Sequence, residues 1–503
     1  MSKWVRLLGW GIAGLVFLVP ILSHSAEKGN PQLVTTEKVV GHTNEITNPS
    51  TLTVSPDIRR VAYIAQRGDK LLLVVDGVEG KEYDGIAEDS PIFSPDGHRV
   101  AYGAQLGKKW FVVVDGVEGK RYDGIGKGAL IFSTDGRRVA FEAWRGEKWL
   151  VVVDGVEGKE YDGIGEDDPI FSPDGQRVAY SAQRGEKWLV VVDGVEGKEY
   201  DGIGMLIFSP DGRHVAYGAI RVEKQLVIVD SVEGKEYDGI GEGSLVFSMD
   251  GRHVAYRAQR GEKWFIVVDG VEGKEYDRIS EGTPIFSPDG RRVAYGARRG
   301  EKWFVVMDGV EGKKYDGIGE GTLLFSPDGR RVAYSAKLGE KWIVMVDGME
   351  GKEYDGIGGG SLVFSVDGRH VAYRARLSEK LIMVVDGVEG KEYDGIDRTI
   401  FSPDGRRVAY GAQRGDKWFL VVDGMEGKEC DGIGDSTLLF SPDGQRVAYV
   451  ALRGEKLLVE VNGLEGKEYD GCMKLVFDSQ NSLHVLARKG TEILIVNIQI
   501  SGE

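Results

Sequence analysis

Residues 284–321 read PIFSPDGRRVAYGARRGEKWFVVMDGVEGKKYDGIGEG, and close copies of this stretch fill most of the chain. The copies are aligned by the Asp of a Ser-Pro-Asp-Gly motif. Its positions in successive copies are Asp57, Asp96, Asp135, Asp174, Asp211, Asp250, Asp289, Asp328, Asp367, Asp404, Asp443 and, as Gln, Gln480. The steps are 39 residues long, except for three of 37 that end at 211, 404 and 480. A fixed period of this length indicates a repeat architecture.

Each copy divides into four short strands separated by turns. PIFS is the first strand, and Pro, Asp and Gly of the motif form the turn after it. RRVAYGA is the second strand. The apolar, β-branched run that follows predicts a third strand buried on both faces. DGVEGK forms the next turn, and KEYDGI is predicted as the fourth strand. Four strands repeated at about this period are typical of the blades of an all-β protein, a β-propeller.

The segment Ser-Pro-Asp-Gly-Arg-Arg-Val-Ala-Tyr, residues 287–295, resembles the TolB-like, WD-repeat-related propellers of exported bacterial proteins. The resemblance covers residues 33–498. The Gly-His and Trp-Asp signature of eukaryotic WD repeats is absent from this sequence, and so is the extra α/β domain of TolB itself and of oligopeptidases. The resemblance therefore implies the fold and an exported location, but neither of those two particular functions.

The two ends of the chain predict how the ring closes. In the repeat register, residues 33–47 resemble a degenerate third and fourth strand, whereas residues 474–498 supply only three strands of a last blade. The N-terminus is therefore expected to provide the missing strand, because an open ring would leave unpaired strand edges.

Twelve four-stranded blades of about 39 residues fit two arrangements. The first, favoured, arrangement is two six-bladed rings, with a first propeller at 33–277 and a second at 278–503, since six blades are usual in the family that the chain resembles. Residues 277–280 favour a boundary there, because this is the one full copy in which Asp-Gly-Ile-Gly becomes Asp-Arg-Ile-Ser. The second is one large twelve-bladed ring. A solenoid of stacked units is a further alternative.

The N-terminus has the pattern of an export signal. Lys3 and Arg6 precede an apolar run at 7–22, and Ser23-His24-Ser25-Ala26 offers small residues for cleavage. We predict a signal peptide at 1–25, a short linker at 26–32, and a periplasmic or secreted protein. The alternative is an uncleaved N-terminal anchor, which would be the only contact with a membrane.

Composition excludes several classes of function. The formal net charge is −16, so a nucleic-acid partner is not expected. Two Cys, Cys430 and Cys472, rule out a disulfide framework. No nucleophile elbow, phosphate loop or zinc-protease motif occurs. His98, His214, His253 and His370 each replace an Arg of one repeated hairpin, so we predict no catalytic residue, no metal and no cofactor.

The candidate binding residues lie where the copies differ. The segment between the predicted fourth strand and the next first strand varies, and the turn after the second strand is basic in most copies. Loops on a rigid scaffold are common binding positions. The candidates are Glu88, Asp89, Glu166, Asp167 and Asp168 in the variable segments, and Arg145 and Arg184 in the turns. The alternative is neutral sequence drift in solvent-facing loops that have no binding function.

These observations favour a non-catalytic exported propeller that binds a protein or glycan partner in the cell envelope, or serves as a scaffold there. The alternative is a propeller enzyme of the lactonase or dehydrogenase type. Such an enzyme needs metal-binding or acid–base side chains that converge from different blades. The predicted first strands, such as PIFS, LIFS and LVFS, carry almost no such groups.

Overall fold

The computed structural model describes residues 31–47, 51–166 and 169–502. The predicted signal segment lies outside this part of the chain. Within it, the strands form twelve antiparallel sheets, one for each repeat. Helical structure among the described residues is limited to a 3-10 turn at Thr43–Glu45 and one further 3-10 residue, Thr51. The prediction of an all-β fold with twelve four-stranded blades is confirmed.

Apolar residues of the second and third strands form the centre of each blade. The second strands are Val61–Arg67, Val100–Leu106, Val139–Arg145, Val178–Arg184, Val215–Arg221, Val254–Arg260, Val293–Arg299, Val332–Leu338, Val371–Leu377, Val408–Arg414, Val447–Arg453 and Ser482–Lys489. The third strands are Lys70–Val75, Lys109–Val114, Lys148–Val153, Lys187–Val192, Lys224–Val229, Lys263–Val268, Lys302–Met307, Lys341–Val346, Lys380–Val385, Lys417–Val422, Lys456–Val461 and Glu492–Ser501.

The fourth strands form one edge of each blade and are mostly exposed. They are Val78–Tyr83, Val117–Glu118, Val156–Glu157, Val195–Tyr200, Val232–Glu233, Val271–Glu272, Val310–Glu311, Met349–Glu350, Val388–Tyr393, Met425–Glu426, Leu464–Tyr469 and, in blade 12, Gln32–His42. A two-residue turn joins the third strand to the fourth. In blade 2 it is Asp115-Gly116, with φ of 51° and 81°. Positive φ at both positions is the type I′ geometry that suits the twist of a hairpin.

The first strands form the other edge, and most are interrupted. In eight blades they consist of two pieces: Gly85–Ile86 and Ile92–Phe93, Gly124–Ile125 and Ile131–Phe132, Gly163–Ile164 and Ile170–Phe171, Gly239–Ile240 and Val246–Phe247, Arg278–Ile279 and Ile285–Phe286, Gly317–Ile318 and Leu324–Phe325, Gly356–Ile357 and Val363–Phe364, and Gly432–Ile433 and Leu439–Phe440. Blades 5, 10 and 12, which have the 37-residue step, have continuous first strands at Gly202–Phe208, Gly395–Phe401 and Gly471–Ser479; blade 1 has Thr53–Val54.

The predicted fourth strand KEYDGI is wrong in its second half. Tyr83 ends the fourth strand of blade 1, but Gly85 and Ile86 pair with Gln105 and Ala104 of blade 2. The chain therefore crosses from one blade to the next at Asp84. The repeat could not show this crossing, because the Gly-Ile pair keeps the extended backbone of the residues before it.

The blades close into one ring. Twelve hydrophobic clusters are found, and each spans two consecutive blades. At the predicted boundary, Ile266 and Tyr276 of blade 6 pack with Phe304 of blade 7. Leu486 of blade 12 packs with Tyr63 of blade 1. The arrangement is the single twelve-bladed ring, and not the favoured pair of six-bladed rings, because every blade buries both faces against its neighbours in sequence.

The closing strand comes from the N-terminus, as predicted. Gln32–His42 pairs antiparallel with Glu492–Ser501 and completes blade 12. A polar contact fixes blade 12 to blade 1. The buried His484 ring bonds the Asp478 carboxylate through Nδ1, at 2.9 Å, and the Asp57 carbonyl oxygen through Nε2, at 2.6 Å. Both ends of the chain therefore meet in one blade.

Candidate functional site

The variable segments lie inside the first strands and not between blades. In blade 2 the two pieces of the first strand pair with opposite ends of Val100–Leu106, so residues 87–91 bulge out between them. We call the equivalent segments the first-strand loops. They are residues 87–91, 126–130, 165–169, 241–245, 280–284, 319–323, 358–362 and 434–438. The prediction that they join the fourth strand to the next first strand is wrong, because Gly-Ile already belongs to the following blade.

A buried Ser or Thr fixes most of these loops to the blade. In blade 8 the Thr322 hydroxyl donates to the Gly319 carbonyl oxygen at 2.7 Å and accepts from the Ser335 amide at 3.0 Å. Ser244, Ser361 and Thr437 make the same pair of bonds in blades 6, 9 and 11. Two bonds from one side chain hold the bulge in place, so the residues at its tip project from a rigid base.

The first-strand loops lie at the edge where neighbouring blades come closest. The Thr53 hydroxyl of blade 1 donates to the Pro91 carbonyl oxygen of blade 2 at 3.0 Å. The Asp89 carboxylate of blade 2 accepts from the Gly128 amide of blade 3. At the opposite edge, long side chains of the fourth strands bridge the blades. Blades of a propeller surround a central channel, so the first strands line its wall.

The candidate acidic residues that are described lie on these loops. Glu88 is exposed and lies 4.0 Å from the Lys127 ammonium of the next loop. Asp89 bonds the Gly128 amide, and Glu166 is exposed at the tip of its loop. Asp167 and Asp168 lie outside the described residues. The described loops thus place an intermittent row of carboxylates around the channel.

Arg145 and Arg184 lie elsewhere, at the interfaces of the fourth strands. The Arg145 guanidinium bonds the Glu157 carboxylate at 3.0 Å and lies 5.6 Å from the centre of the Tyr122 ring of the preceding blade. The Tyr122 hydroxyl donates to the same carboxylate at 3.1 Å. Arg184 repeats these contacts with Glu196 and Tyr161. The structure therefore does not bring the basic turns and the acidic loops together.

Ion pairs keep the carboxylates of this outer edge charged. Partial burial acts to raise the pKa of Glu157, but the hydrogen bonds from Tyr122 and Arg145 outweigh burial and leave that pKa below its usual value. At the equivalent position in blade 10, Arg414 contributes most to a pKa of about 2 for Glu426. These Arg residues already have partners within the ring, which gives them a structural role.

The histidines of the repeated hairpin also have partners. His214, His253 and His370 replace the Arg that elsewhere pairs with the Asp of the third-to-fourth-strand turn. Their Nδ1 atoms lie 2.5–2.7 Å from Asp230, Asp269 and Asp386. Each of these His–Asp pairs lies within one blade.

The thiols and possible metal ligands are dispersed. Cys430 and Cys472 are free. Across residues 31–47, 51–166 and 169–502, no group of three His, Cys, Asp or Glu side chains is arranged to hold a metal ion. The same residues contain no helix with the length and apolar character of a membrane span.

Comparisons with known proteins find low similarity to solved structures. No protein-family model matches the chain, and no curated protein matches it. Among solved structures, a eukaryotic initiation factor is 11% identical, with a TM-score of 0.34, over 74% of this chain and 96% of that chain. A GH74 enzyme of Niastella koreensis is 11% identical, with a TM-score of 0.25, over 90% and 84%. The Cps50 (Swd1) β-propeller domain of Myceliophteria thermophila is 14% identical, with a TM-score of 0.22, over 58% and 95%. The chain is a twelve-bladed β-propeller on the evidence of its own sheets.

Proposed function

We propose that this protein is an exported, non-catalytic propeller of the TolB-like type that binds a protein or glycan partner in the cell envelope through its first-strand loops. The observation that carries the proposal is the contrast between a uniform ring and variable, polar loops on a rigid base. A Ser or Thr anchors most of the loops, such as Ser244 in the loop whose tip, Glu242, is exposed. Anchored loops on a stiff scaffold favour binding, because little conformational entropy is lost on association.

Charge also supports a binding role at these loops. Glu88, Asp89, Glu166, Glu242, Glu281, Glu320 and Asp435 are the acidic residues of the described loops. Lys127 is the single basic residue of these loops. A partner that presents basic or hydroxyl groups fits this row of acceptors. The negative charge of the row also attracts a basic partner toward the channel mouth during encounter.

Capture of a partner from an envelope extract tests the proposal. The loop variant Glu166→Lys, Glu242→Lys and Asp435→Lys reverses three exposed loop charges in blades 4, 6 and 11. The control variant Glu186→Lys, Glu262→Lys and Glu455→Lys makes the same change of charge in the second-to-third-strand turns of the same blades. We expect the loop variant to lose most of the captured protein or glycan at an unchanged melting temperature, and the control to retain it. Equal capture by both variants, or no capture by the wild type, contradicts the proposal.

A further inference from the structure

Blade 7 departs from the repeat at one position of its first strand. Arg278 occupies a position where ten other blades have Gly: Gly85, Gly124, Gly163, Gly202, Gly239, Gly317, Gly356, Gly395, Gly432 and Gly471. Its neighbour on the second strand is Arg298, and the neighbour of Arg298 on the third strand is Trp303. Two arginines are thus directly opposite each other on adjacent strands, where like charges are destabilising.

No carboxylate of the described chain forms an ion pair with these cations. The same holds for Arg257, which reaches in from blade 6. Its Nη1 donates to the Ile279 and Ser280 carbonyl oxygens at 3.2 and 3.1 Å. The Nε atoms of Arg257 and Arg298 are buried without a hydrogen-bond partner. A buried donor without an acceptor costs free energy, so the free protein holds three neighbouring cations with no carboxylate at ion-pair distance and two buried donors unsatisfied.

Tryptophan rings hold two of the three cations in position. The Arg257 guanidinium lies 5.1 Å from the centre of the Trp264 ring, and that of Arg298 lies 5.8 Å from the Trp303 ring. Stacking on an aromatic ring orients a guanidinium without consuming its N–H donors. Arg257, Arg278 and the two Trp rings line a cavity of about 460 Å³ at the inner edge of blades 6–8, and Arg298 lies next to it as the cross-strand neighbour of Arg278. That volume falls within the range of about 300–1,000 Å³ that is usual for ligand sites.

The other polar residues that line the cavity accept hydrogen bonds, whereas the arginines donate them. Ser280, Glu281 and Glu320 border the same cavity and supply hydrogen-bond acceptors. A ligand that fits must carry an oxyanion for the guanidinium groups, which bind such groups with charge-assisted, often bidentate, bonds. It must also carry hydroxyl groups to donate to the carboxylates. Acidic sugars combine both features on one ring.

We infer that the cavity lined by Arg257 and Arg278 beside Trp264 and Trp303 binds an acidic sugar, with the sugar carboxylate on these two arginines and its hydroxyls on Glu281 and Glu320. The inference rests on the proposed binding role and names a ligand class for one part of the channel wall. It uses none of the residues changed in the capture experiment, so the two can fail separately.

Titration of the full mature chain with defined ligands tests the site. Trp264 and Trp303 lie in it, so tryptophan fluorescence and calorimetry both report on occupancy. The probes are trigalacturonate, neutral maltotriose and inorganic phosphate. We expect saturable binding of trigalacturonate that weakens at high salt, and at least tenfold weaker binding of the other two.

Two variants assign the binding to the cluster. Arg278→Gly restores the residue of the other blades and is expected to weaken trigalacturonate binding at least tenfold while the melting temperature holds or rises. Arg376→Gln removes a cation from the equivalent second-strand position of blade 9, opposite Gly356, and should leave binding unchanged. Absence of saturable trigalacturonate binding, or equal binding by Arg278→Gly, overturns the inference. Phosphate binding as tight as that of trigalacturonate overturns the sugar assignment. If Arg278→Gly still captures the partner from the envelope extract, the proposed function stands even though the acidic-sugar inference has failed.

Discussion

At the scale of single residues, the interface between blades 10 and 11 shows two linked departures from the repeat. Cys430 stands where other fourth strands have Tyr, and Glu460 stands in the third strand where other blades have an apolar residue. Both are buried, and Glu460 is the cross-strand neighbour of Tyr449, which packs in one cluster with Cys430. The space that a Tyr ring fills elsewhere is therefore lined here by a thiol and a carboxylate.

Burial changes how Glu460 titrates. It raises the pKa of Glu460, although Tyr449 and Arg453, whose Nη2 lies 3.5 Å away, oppose the shift. A carboxyl whose pKa is raised by folding favours the folded state at low pH. This contribution is lost as pH rises from the unfolded value of about 4.3 through the folded pKa.

Restoring the repeat at this interface should stabilise the ring. The double variant Cys430→Tyr with Glu460→Val replaces a buried charge with the Tyr and Val packing of other interfaces, for which we expect a gain of about 1–4 kcal/mol in the free energy of unfolding. The gain should be larger at pH 8 than at pH 4.5, as measured by urea denaturation. Cys430→Tyr alone is the control and should destabilise, because the ring then meets the carboxylate. A double variant that is less stable than the wild type at both pH values would contradict the argument.

At the scale of structural elements, the third-to-fourth-strand hairpin depends on one Asp. Asp193 adopts a φ of 51°. Its carboxylate accepts from the Val178 amide and from the Arg177 Nε, both at 2.9 Å. The same residue therefore shapes the turn, holds the start of the second strand and orients an arginine that reaches the next blade at the Arg213 carbonyl oxygen.

Substitutions at Asp193 should separate turn geometry from charge. Asp193→Ala places a side chain without acceptors at positive φ, and we expect a loss of about 1–3 kcal/mol in the free energy of unfolding. Asp193→Asn should lose less, because blade 11 uses Asn462 at a φ of 48° and its Oδ1 accepts from the Val447 amide at 2.9 Å. Glu186→Ala, in an exposed turn of the same blade, is the control. Chemical denaturation measures all three variants. Equal losses of stability for Asp193→Ala and Asp193→Asn would show that the hydrogen bond from the Val178 amide does not stabilise the hairpin.

At the scale of the whole molecule, stability depends on closure. Each blade buries both faces, and blade 12 is complete only when Gln32–His42 pairs with Glu492–Ser501. The pairing also positions the Glu37 carboxylate to accept from the Tyr469 hydroxyl of blade 11 at 2.9 Å. The N-terminal strand therefore pairs with the C-terminal strand in blade 12 and also contacts blade 11.

Removal of that strand should open or weaken the ring. A chain that begins at residue 43 exposes the edge of the last third strand, and exposed strand edges promote association. We expect a lower melting temperature and a shift toward larger species in size-exclusion chromatography. A chain that begins at residue 31 retains the strand and is the control. If both truncations melt and elute alike, the N-terminal strand does not close the ring.

The sequence predicts only part of the candidate site, because it shows where the copies differ but not which side chains of different blades meet. Comparison of the copies identified Glu88, Asp89 and Glu166 as variable and exposed, since sequence differences between near-identical repeats need no structure to be seen. The pairing of Arg145 with Glu157 could not be seen, because it depends on how adjacent fourth strands approach. The departure at residues 277–280 predicts a domain boundary from the sequence, because the arginines beside Arg278 lie on other strands, Arg298 in the same blade and Arg257 in blade 6.

The repeat is enough to predict the blade: its four strands, its Asp-Gly turns, the count of twelve and the N-terminus as the closing strand. These follow from local periodicity and turn chemistry, which each copy repeats. Contacts between blades are needed to show that the twelve blades form one ring, and that the Gly-Ile pair crosses into the next blade and places the variable loops on the channel wall. Those features depend on the angle between packed blades, which is set by side-chain packing across interfaces and leaves no period in the sequence.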